Sequence, residues 1–150
     1  MGKISQFAEQ TLTITLASLA SGSGRQAALV TTSGSQTTAF VTVKATTGTS
    51  PTNEGTIDVY LLRRAGSVSD ENFGNGDAAI AVSSATLIGS ITVSASSDTT
   101  YRAVFDTAAA GPLTAEWTVA IVNRTGAALN ATAGNHAVTV VPYTASPTPW

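Results

Sequence analysis

Alternation of apolar and polar residues is the feature that most constrains what this chain can fold into. In residues 11–16, Leu12, Ile14 and Leu16 alternate with threonines, so one side of the extended segment is apolar and the other is polar. A helix would distribute these residues around its axis, whereas a half-buried β-strand separates them onto two faces. Further segments with the same period are 39–45, 56–63, 87–93, 99–105, 117–123 and 136–143, with 26–31 as a weaker one.

The number of these segments, and what separates them, predicts the fold class. Clusters of Gly, Ser, Asn, Asp and Pro lie between them, and no segment has convincing helical spacing. Residues 107–110 could form one helical turn, but Gly111 and Pro112 follow directly and favour a loop. We therefore predict an all-β, two-sheet antiparallel sandwich of about eight strands, most plausibly a jelly roll. An immunoglobulin-like sandwich is the alternative, although the chain lacks that family's cysteine pair and tryptophan spacing.

A length of 150 residues fits one domain. We expect the sandwich to span residues 10–143, with an N-terminal arm at residues 1–9 and a C-terminal tail at residues 144–150. The tail prolines, Pro147 and Pro149, lack the N–H that a β-ladder requires. Residues 65–84 form the longest irregular stretch, and a loop of this length is often an interaction surface.

Composition argues against several classes of partner. Charged residues make up 11% of the chain, against a usual value of about 25%, and the seven Lys and Arg residues are scattered. Nucleic acid needs clustered cations, so we expect no nucleic-acid partner. No apolar run is long enough to span a bilayer, and the start does not resemble a secretory signal, so we expect a soluble protein made in a cytoplasm. The absence of cysteine excludes disulfides and thiolate chemistry.

The sequence contains few residues in an arrangement that could support catalysis. His136 is the only histidine, and it opens the last predicted strand without a second titratable group at a fixed spacing. Asp58 and Glu116 lie on separate predicted strands, but nothing in their spacing favours a facing carboxylate pair. There is no G-x-S-x-G motif. We therefore predict a protein that is not an enzyme and uses no cofactor.

One segment contains a weak candidate for a metal site. Asp70, Asn72, Asn75 and Asp77 supply hard oxygens within a glycine-containing stretch, and these are the ligands that Ca²⁺ prefers. The spacing does not fit an EF-hand. A polar surface loop of turn-forming residues is the favoured interpretation, so no metal is predicted.

The aromatic residues could serve either a core or a sugar-binding face. Trp117, Tyr60, Tyr101, Phe105 and Tyr143 would form a stacking platform if they were exposed together. Trp117, however, shares its strand face with Val119 and Ile121, which predicts a core position. Packing is therefore the favoured interpretation.

Contacts with other subunits are expected at the arms and beside the long loop. Arg63 and Arg64 end a predicted strand on opposite faces, where one of them could pair with a neighbouring subunit. A solvated strand end is the other interpretation. A terminal tryptophan is better explained by docking than by exposure to water. The predicted contact residues are Phe7, Arg63, Arg64, Phe73, Pro147, Pro149 and Trp150.

Several stretches resemble a group of short structural proteins encoded by tailed bacteriophages and prophages. They are residues 12–21 (LTITLASLAS), 24–30 (GRQAALV), 76–80 (GDAAI), 87–91 (LIGSI), 116–129 (EWTVAIVNRTGAAL) and 134–138 (GNHAV). The similarity extends from about Leu12 to Tyr143 and consists of packing and turn motifs. The Pro-Trp tail does not match that pattern.

The resemblance implies a jelly-roll decoration or cement protein on the outside of a phage head. Its partner would then be the major capsid protein, and it would self-associate as a homotrimer at the joints between capsomers. The protein would be located in the virion after synthesis in the bacterial cytoplasm. A low-copy tail, collar or fibre-base protein is the alternative within the same class, and a carbohydrate-binding module is the alternative from another class.

Overall fold

The computed structural model describes residues 3–32 and 36–146, which form an all-β sandwich. The strands are β1 (Lys3–Gln6), β2 (Gln10–Thr11), β3 (Gly24–Gln26), β4 (Val30–Thr31), β5 (Thr38–Thr46), β6 (Thr56–Ala65), β7 (Val68–Ser69), β8 (Ala78–Ile80), β9 (Thr86–Thr92), β10 (Thr100–Asp106), β11 (Glu116–Arg124) and β12 (Ala137–Ser146). Short 3₁₀ helices span Asp70–Asn72, Thr107–Ala110 and Ala133–Asn135. The alanine-rich piece at 107–110, predicted as a loop, is therefore a single 3₁₀ turn, which begins where the Asp106 side chain accepts a hydrogen bond from Ala108 N–H.

The strands are arranged as a jelly roll of two antiparallel sheets, which confirms the predicted fold. Sheet A has the order β2-β12-β5-β10, with β1 also on the outer side of β12. Sheet B has β11 and β6 at its centre, β3 and β4 beside β11, β9 and β7 beside β6, and β8 beyond β3. When the four short strands β1, β4, β7 and β8 are set aside, strands that follow one another in the chain lie in opposite sheets, except for β6 and β9. Such crossing between sheets is the jelly-roll order and differs from the immunoglobulin-like alternative.

The core lies between the two sheets, and period-two alternation fills it. On β5, Val41 and Val43 face inward while their neighbours along the strand remain partly accessible. Trp117, Val119 and Ile121 of β11 are fully buried in the same cluster, as predicted from their shared strand face. Trp117 is the largest of the fully buried side chains.

Residues 12–16 alternate as predicted, but they do not form a strand. Leu12 and Leu16 are buried and the intervening threonines are exposed. The Leu12 N–H donates to Val138 in sheet A, whereas the Thr13 carbonyl accepts from Ala28, which lies beside sheet B. The segment crosses from one sheet to the other, so no continuous ladder forms along it.

The long loop covers the outer face of sheet B instead of standing free. A second apolar cluster on that face contains the buried Leu62, Ala120 and Phe73. Ile80, Val82 and Ala85 of the loop pack around it. We call residues 66–85 the covering loop. β11 is consequently buried on both sides, and the burial pattern of residues 117–123 shows no exposed position.

The predicted arms are partly paired with each other. β1 lies antiparallel to the end of β12, with Lys3 opposite Ser146 and Gln6 opposite Tyr143. β5 pairs with β12 only as far as Tyr143, so residues 144–146 and 3–5 form a two-stranded ribbon beyond the sheet. Polar residues without alternation gave no sequence signal for this pairing. Within the described ranges, no helix is long and apolar enough to span a membrane.

Candidate docking face

Among the residues that the structure describes, no loop packs on the outer face of sheet A. Phe40, Thr42 and Lys44 of β5 point away from the core, since the residues between them are buried. Val104 of β10 faces the same way and is 65% exposed. Ile4 of the ribbon is 57% exposed. On the equivalent side of sheet B the covering loop packs on β6 and β11, although Leu87 of β9 remains 50% exposed there. The outer face of sheet A is therefore the larger candidate for a docking surface.

An aromatic patch lies at the end of this face that is next to the ribbon. The Phe40 and Tyr143 rings stack with their centroids 4.5 Å apart. The Tyr143 hydroxyl donates to the Asp106 carboxylate at 2.8 Å. Burial of the phenol, together with this carboxylate, raises the pKa of Tyr143 above its ordinary value. The patch ties β12, β5 and β10 together.

A shallow groove of about 520 Å³ lies on the same face, toward the opposite end from the ribbon. Its floor includes Thr42, Ala137 and Thr139, which are small enough to leave the depression. Glu9 lines one side of it, from the chain just before β2. Lys44 and Arg102 line the other side, from β5 and β10.

The two cations of the groove are directly opposite each other in the ladder, where like charges repel. Lys44 Nζ donates to the Gly134 carbonyl at 3.2 Å, but no carboxylate neutralises it within the described residues. Among the described residues, Arg102 has neither an ion pair nor a hydrogen bond, whereas other arginines form ion pairs with carboxylates. Those pairs are Arg25–Asp77, Arg64–Glu116 and Arg124–Asp58.

Arg63 and Arg64 lie on opposite faces of β6, but both are used inside the subunit. Arg64 donates to Glu116 at 2.9 Å and to the Phe73 carbonyl at 3.1 Å, and it lies over the Phe73 ring. Arg63 donates to the Ala110 carbonyl at 2.9 Å. Phe73 is 3% exposed, so its ring anchors the covering loop from within.

The other predicted contact residues lie at the chain ends. Phe7 is 40% exposed beside β1, and its N–H donates to the Pro142 carbonyl at 2.8 Å. Pro147, Pro149 and Trp150 lie outside the residues that the structure describes.

Three of the four residues of the calcium candidate, Asp70, Asn75 and Asp77, direct side-chain oxygens to protein partners. Asp77 accepts from Arg25 and from Thr15, each at 2.5 Å. Burial opposes its ionisation, but these hydrogen bonds outweigh burial and lower the pKa of Asp77. Asp70 accepts from the Arg63 N–H and Asn75 from the Arg64 guanidinium. In the described part of the chain no three His, Asp or Glu side chains are grouped to hold a metal.

The covering loop is held by one carboxylate that sequence reasoning did not identify. Glu71 accepts from the backbone N–H groups of Ser83, Ser84 and Ala85. These bonds, that of Ser84 first, lower the pKa of Glu71 from 4.5 to about 2. Its backbone is left-handed, at φ 53°, which turns the side chain toward those amides. Glu71 therefore acts as a clasp that closes residues 71–85 over sheet B.

We expect Glu71→Gln to loosen this loop without unfolding the sandwich. The lost charge-assisted hydrogen bonds are worth about 1–2 kcal/mol after allowance for partial exposure. The pKa of Glu71 is lower in the folded chain than its ordinary value of 4.5. The clasp therefore contributes its full stabilisation of the loop above pH 4.5, and this contribution is lost as the pH falls from 4.5 toward 2. The Gln variant should lose this part of the acid dependence.

Hydrogen exchange at Ser84 and Ala85, compared at pH 6 and pH 3, measures the effect. Glu54→Gln is the matched control, since Glu54 is exposed and lies in a turn remote from the loop. Equal protection of these amides in the wild type and Glu71→Gln would contradict the clasp.

His136 occupies a structural position at the start of β12. Its Nδ1 accepts from the Thr46 N–H at 3.3 Å, and its Nε2 lies 2.8 Å from the Asn130 carbonyl. A neutral ring with its proton on Nε2 satisfies both bonds. No acid or base faces it in these contacts, so the geometry is that of a strand-end residue.

The five aromatic residues considered for sugar binding are divided between packing sites. Trp117 is fully buried, and Tyr101 and Phe105 pack on the same core. Tyr60 belongs to the second cluster, and Tyr143 is 6% exposed. They do not form one exposed platform.

Sequence reasoning missed Glu9, Lys44, Arg102 and Val104. The signal was present in the alternation itself, because Lys44 and Arg102 occupy outward positions of well-patterned strands. Alternation does not show which strands pair, and it is the pairing of β10 with β5 that brings these two residues together.

Searches for similar proteins found no match to this chain among family models, curated proteins or solved structures.

Proposed function

We propose that this protein is a non-enzymatic virion structural protein that decorates the outside of a phage capsid as a cement protein. The observation that carries the proposal is the asymmetry of the sandwich. The covering loop packs on the centre of sheet B, where Leu87 of β9 is still exposed, whereas no loop of the described residues packs on sheet A, whose outer face exposes Ile4 and Val104. A rigid domain with one open face suits assembly, and several weak contacts can add by multivalency.

The contact with the major capsid protein is assigned to the ribbon end of this face. Ile4 and Phe7 expose apolar surface there, next to the start of the C-terminal tail. The sequence resemblance supplies the phage assignment and a homotrimer at capsomer joints. A low-copy tail, collar or fibre-base protein would use the same surface but occur at a different stoichiometry.

Quantitative mass spectrometry of purified virions tests this function through the copy number relative to the major capsid protein. We expect a near-stoichiometric ratio. A few copies per particle would move the protein to the tail or a unique vertex, and complete absence would overturn the virion assignment.

Attachment of purified protein to undecorated heads then tests the ribbon. The Ile4→Ser/Phe7→Ser variant should attach about tenfold more weakly or worse, because each buried apolar side chain contributes on the order of 1–2 kcal/mol. Val68→Ser is the matched control, since Val68 is 72% exposed on the β6–β7 turn of sheet B. Equal attachment by both variants would contradict the role of the ribbon.

A further inference from the structure

We propose that the outer edge of β10 pairs with the same edge of a second copy of this chain, so that sheet A continues across a two-fold axis. Strand β10 spans Thr100–Asp106 and is hydrogen-bonded in its sheet to β5. No other strand of the described residues pairs with it, so one of its edges is open. Such an edge is a template for another strand. The inference concerns the purified chain and does not depend on a virion location.

A hydrogen bond beside the start of β10 shows which of its backbone groups point toward the open edge. The Thr47 N–H donates to the Thr99 carbonyl at 3.0 Å, so the carbonyl of this odd-numbered residue faces the β5 side. Groups that face the neighbouring strand alternate along an antiparallel ladder, and the β10–β5 register is unbroken. The N–H and carbonyl groups of Arg102, Val104 and Asp106 therefore point outward.

The side chains of the same three residues lie on the outer face of sheet A, since each is paired with an outward-facing residue of β5. Arg102 is exposed, and Val104 between the two charges is 65% exposed. Four residues of strand separate Arg102 from Asp106 by about 13 Å, too far for an ion pair within one chain. The edge thus presents a positive, an apolar and a negative side chain at equal spacing.

This order is self-complementary in an antiparallel pair of strands. With the two-fold axis at Val104 and perpendicular to the sheet, Arg102 of each copy lies opposite Asp106 of the other, and the two Val104 side chains meet. These pairs join residues whose backbone groups point outward, so they are the hydrogen-bonded pairs of the new ladder. Opposite Cβ atoms are then about 5 Å apart, within reach of an arginine–carboxylate ion pair.

The Asp106 carboxylate has room for this partner. Its Oδ1 accepts from the Ala108 N–H and from the Tyr143 hydroxyl, both at 2.9 Å, whereas its Oδ2 accepts from the Tyr143 hydroxyl at 2.8 Å. An ionised carboxylate has about four acceptor positions. One position on Oδ2 is therefore left for Arg102 of the second copy, and Tyr143 holds the carboxylate in place.

The charges select this register and a second copy over the alternatives. An axis at Arg102 would place two arginines opposite each other, and like charges directly opposite are destabilising. An axis at Ala103 would leave both charges of the edge opposite uncharged residues. Strand β9, which lies beside β10 in the other sheet, has no charged residue and could not neutralise either charge. An unrelated strand would need an acid and a cation at the same spacing, which β10 itself already supplies.

The contact is small, so the dimer should be reversible. A ladder over residues 102–106 buries less than the ~800 Å² per partner of a standard interface. We expect a dissociation constant on the order of 10–100 μM. Because the two ion pairs are partly exposed, the dimer should weaken as salt is added.

Amide hydrogen exchange of the purified wild-type chain tests the contact within a single strand. The outward N–H groups of Arg102, Val104 and Asp106 should exchange quickly in dilute protein. At a concentration of about 1 mM they should exchange about fivefold more slowly, because the dimer then predominates. The amides of the odd-numbered residues of β10, which bond to β5, are the internal control and should be protected at both concentrations.

Val104→Pro removes the N–H at the two-fold axis, and it spares the β5 ladder because that N–H points outward. Val104→Ala is the matched control, since it shortens the side chain but keeps the donor. Sedimentation velocity across a concentration series should show a dimer at least about tenfold weaker for Val104→Pro than for Val104→Ala.

Arg102→Glu places a carboxylate opposite Asp106 of the other copy and should also weaken the dimer about tenfold or more. Lys44→Gln is its control, because Lys44 lies on the same face but one strand in from the edge. Circular dichroism melts establish that each variant is folded. If Val104→Pro does not fold, Arg102→Glu and the exchange pattern decide the result.

Three results would overturn the proposal. The first is a wild type that stays monomeric up to about 1 mM, well above the expected dissociation constant. The second is self-association, as a dimer or a trimer, that leaves the outward amides of β10 unprotected. The third is a dimer that Arg102→Glu weakens no more than Lys44→Gln does.

Discussion

Asn123→Ala should destabilise the domain by about 3–4 kcal/mol, the sum of several buried hydrogen bonds at about 1 kcal/mol each. Asn123 is fully buried near the end of β11. Its Nδ2 donates to the carbonyls of Leu19 and Ala127, both at 2.8 Å. Its Oδ1 accepts from the Thr125 N–H and from the Thr125 hydroxyl. All four hydrogen-bonding positions of the amide are therefore used.

The cost arises because alanine leaves these groups without their partner in a dry site. The Thr125 N–H loses its acceptor, and a buried donor without a partner is expensive. The amide also joins residue 19, in the crossing segment after β2, to the turn at Gly126, where φ is 83°. Loosening both at once should lower the unfolding temperature by several degrees, since 1 kcal/mol corresponds to about 2–4 °C in a domain of this size.

Urea unfolding measures this prediction directly as a change in midpoint at constant slope. Asn53→Ala is the matched control, because Asn53 is exposed and surface substitutions usually fall within about 0.5 kcal/mol. A loss below about 1 kcal/mol for Asn123→Ala would mean that the network contributes little beyond what water supplies in the unfolded chain.

The strands and the core could be predicted from sequence because they depend on a local rule. A period of two identifies which residues of a strand share a face, as the burial of Val41 and Val43 between partly exposed neighbours on β5 confirms. Short strands such as β1, β7 and β8 could not be predicted, since two to four residues carry no measurable period. Their pairing is imposed by the longer strands beside them.

The candidate site depended on information that alternation does not contain. Lys44 and Arg102 are far apart in the chain, and only the register of β10 on β5 places them opposite each other. The 65–84 loop was expected to be a contact surface, but Phe73 packs it onto sheet B. Its polar composition concealed the contacts that dock it, among them the Phe73 ring and the Glu71 clasp.

Gly89→Ala should destabilise the domain by about 2–3 kcal/mol, although alanine is usually the safer residue in a strand. Gly89 lies on β9 at a register shift against β6, and the Phe105 ring of β10 lies on it. A Cβ built on Gly89 would overlap the Cδ1 and Cε1 atoms of that ring. Because β9 and β10 belong to different sheets, this contact closes one side of the sandwich.

A double-mutant cycle separates steric overlap from any intrinsic need for glycine. Phe105→Ala alone should cost about 2–3 kcal/mol, since the ring is part of the core. In that background, Gly89→Ala has no ring to displace, and it should be neutral or stabilise by up to about 1 kcal/mol because it restricts the unfolded chain. Gly89→Ala should therefore destabilise the domain when the Phe105 ring is present and be neutral or stabilising when the ring is absent.

Gly134→Ala is the matched control for the cycle, because a Cβ there meets no atom within 4 Å and its backbone is not left-handed. Additive effects of Gly89→Ala and Phe105→Ala would show that the two residues act independently. The closure of the sandwich would then depend on the β9–β10 backbone alone. A coupling of 2 kcal/mol or more would instead show that glycine is required at position 89 for the ring, since residues in contact couple by about 0.5–3 kcal/mol.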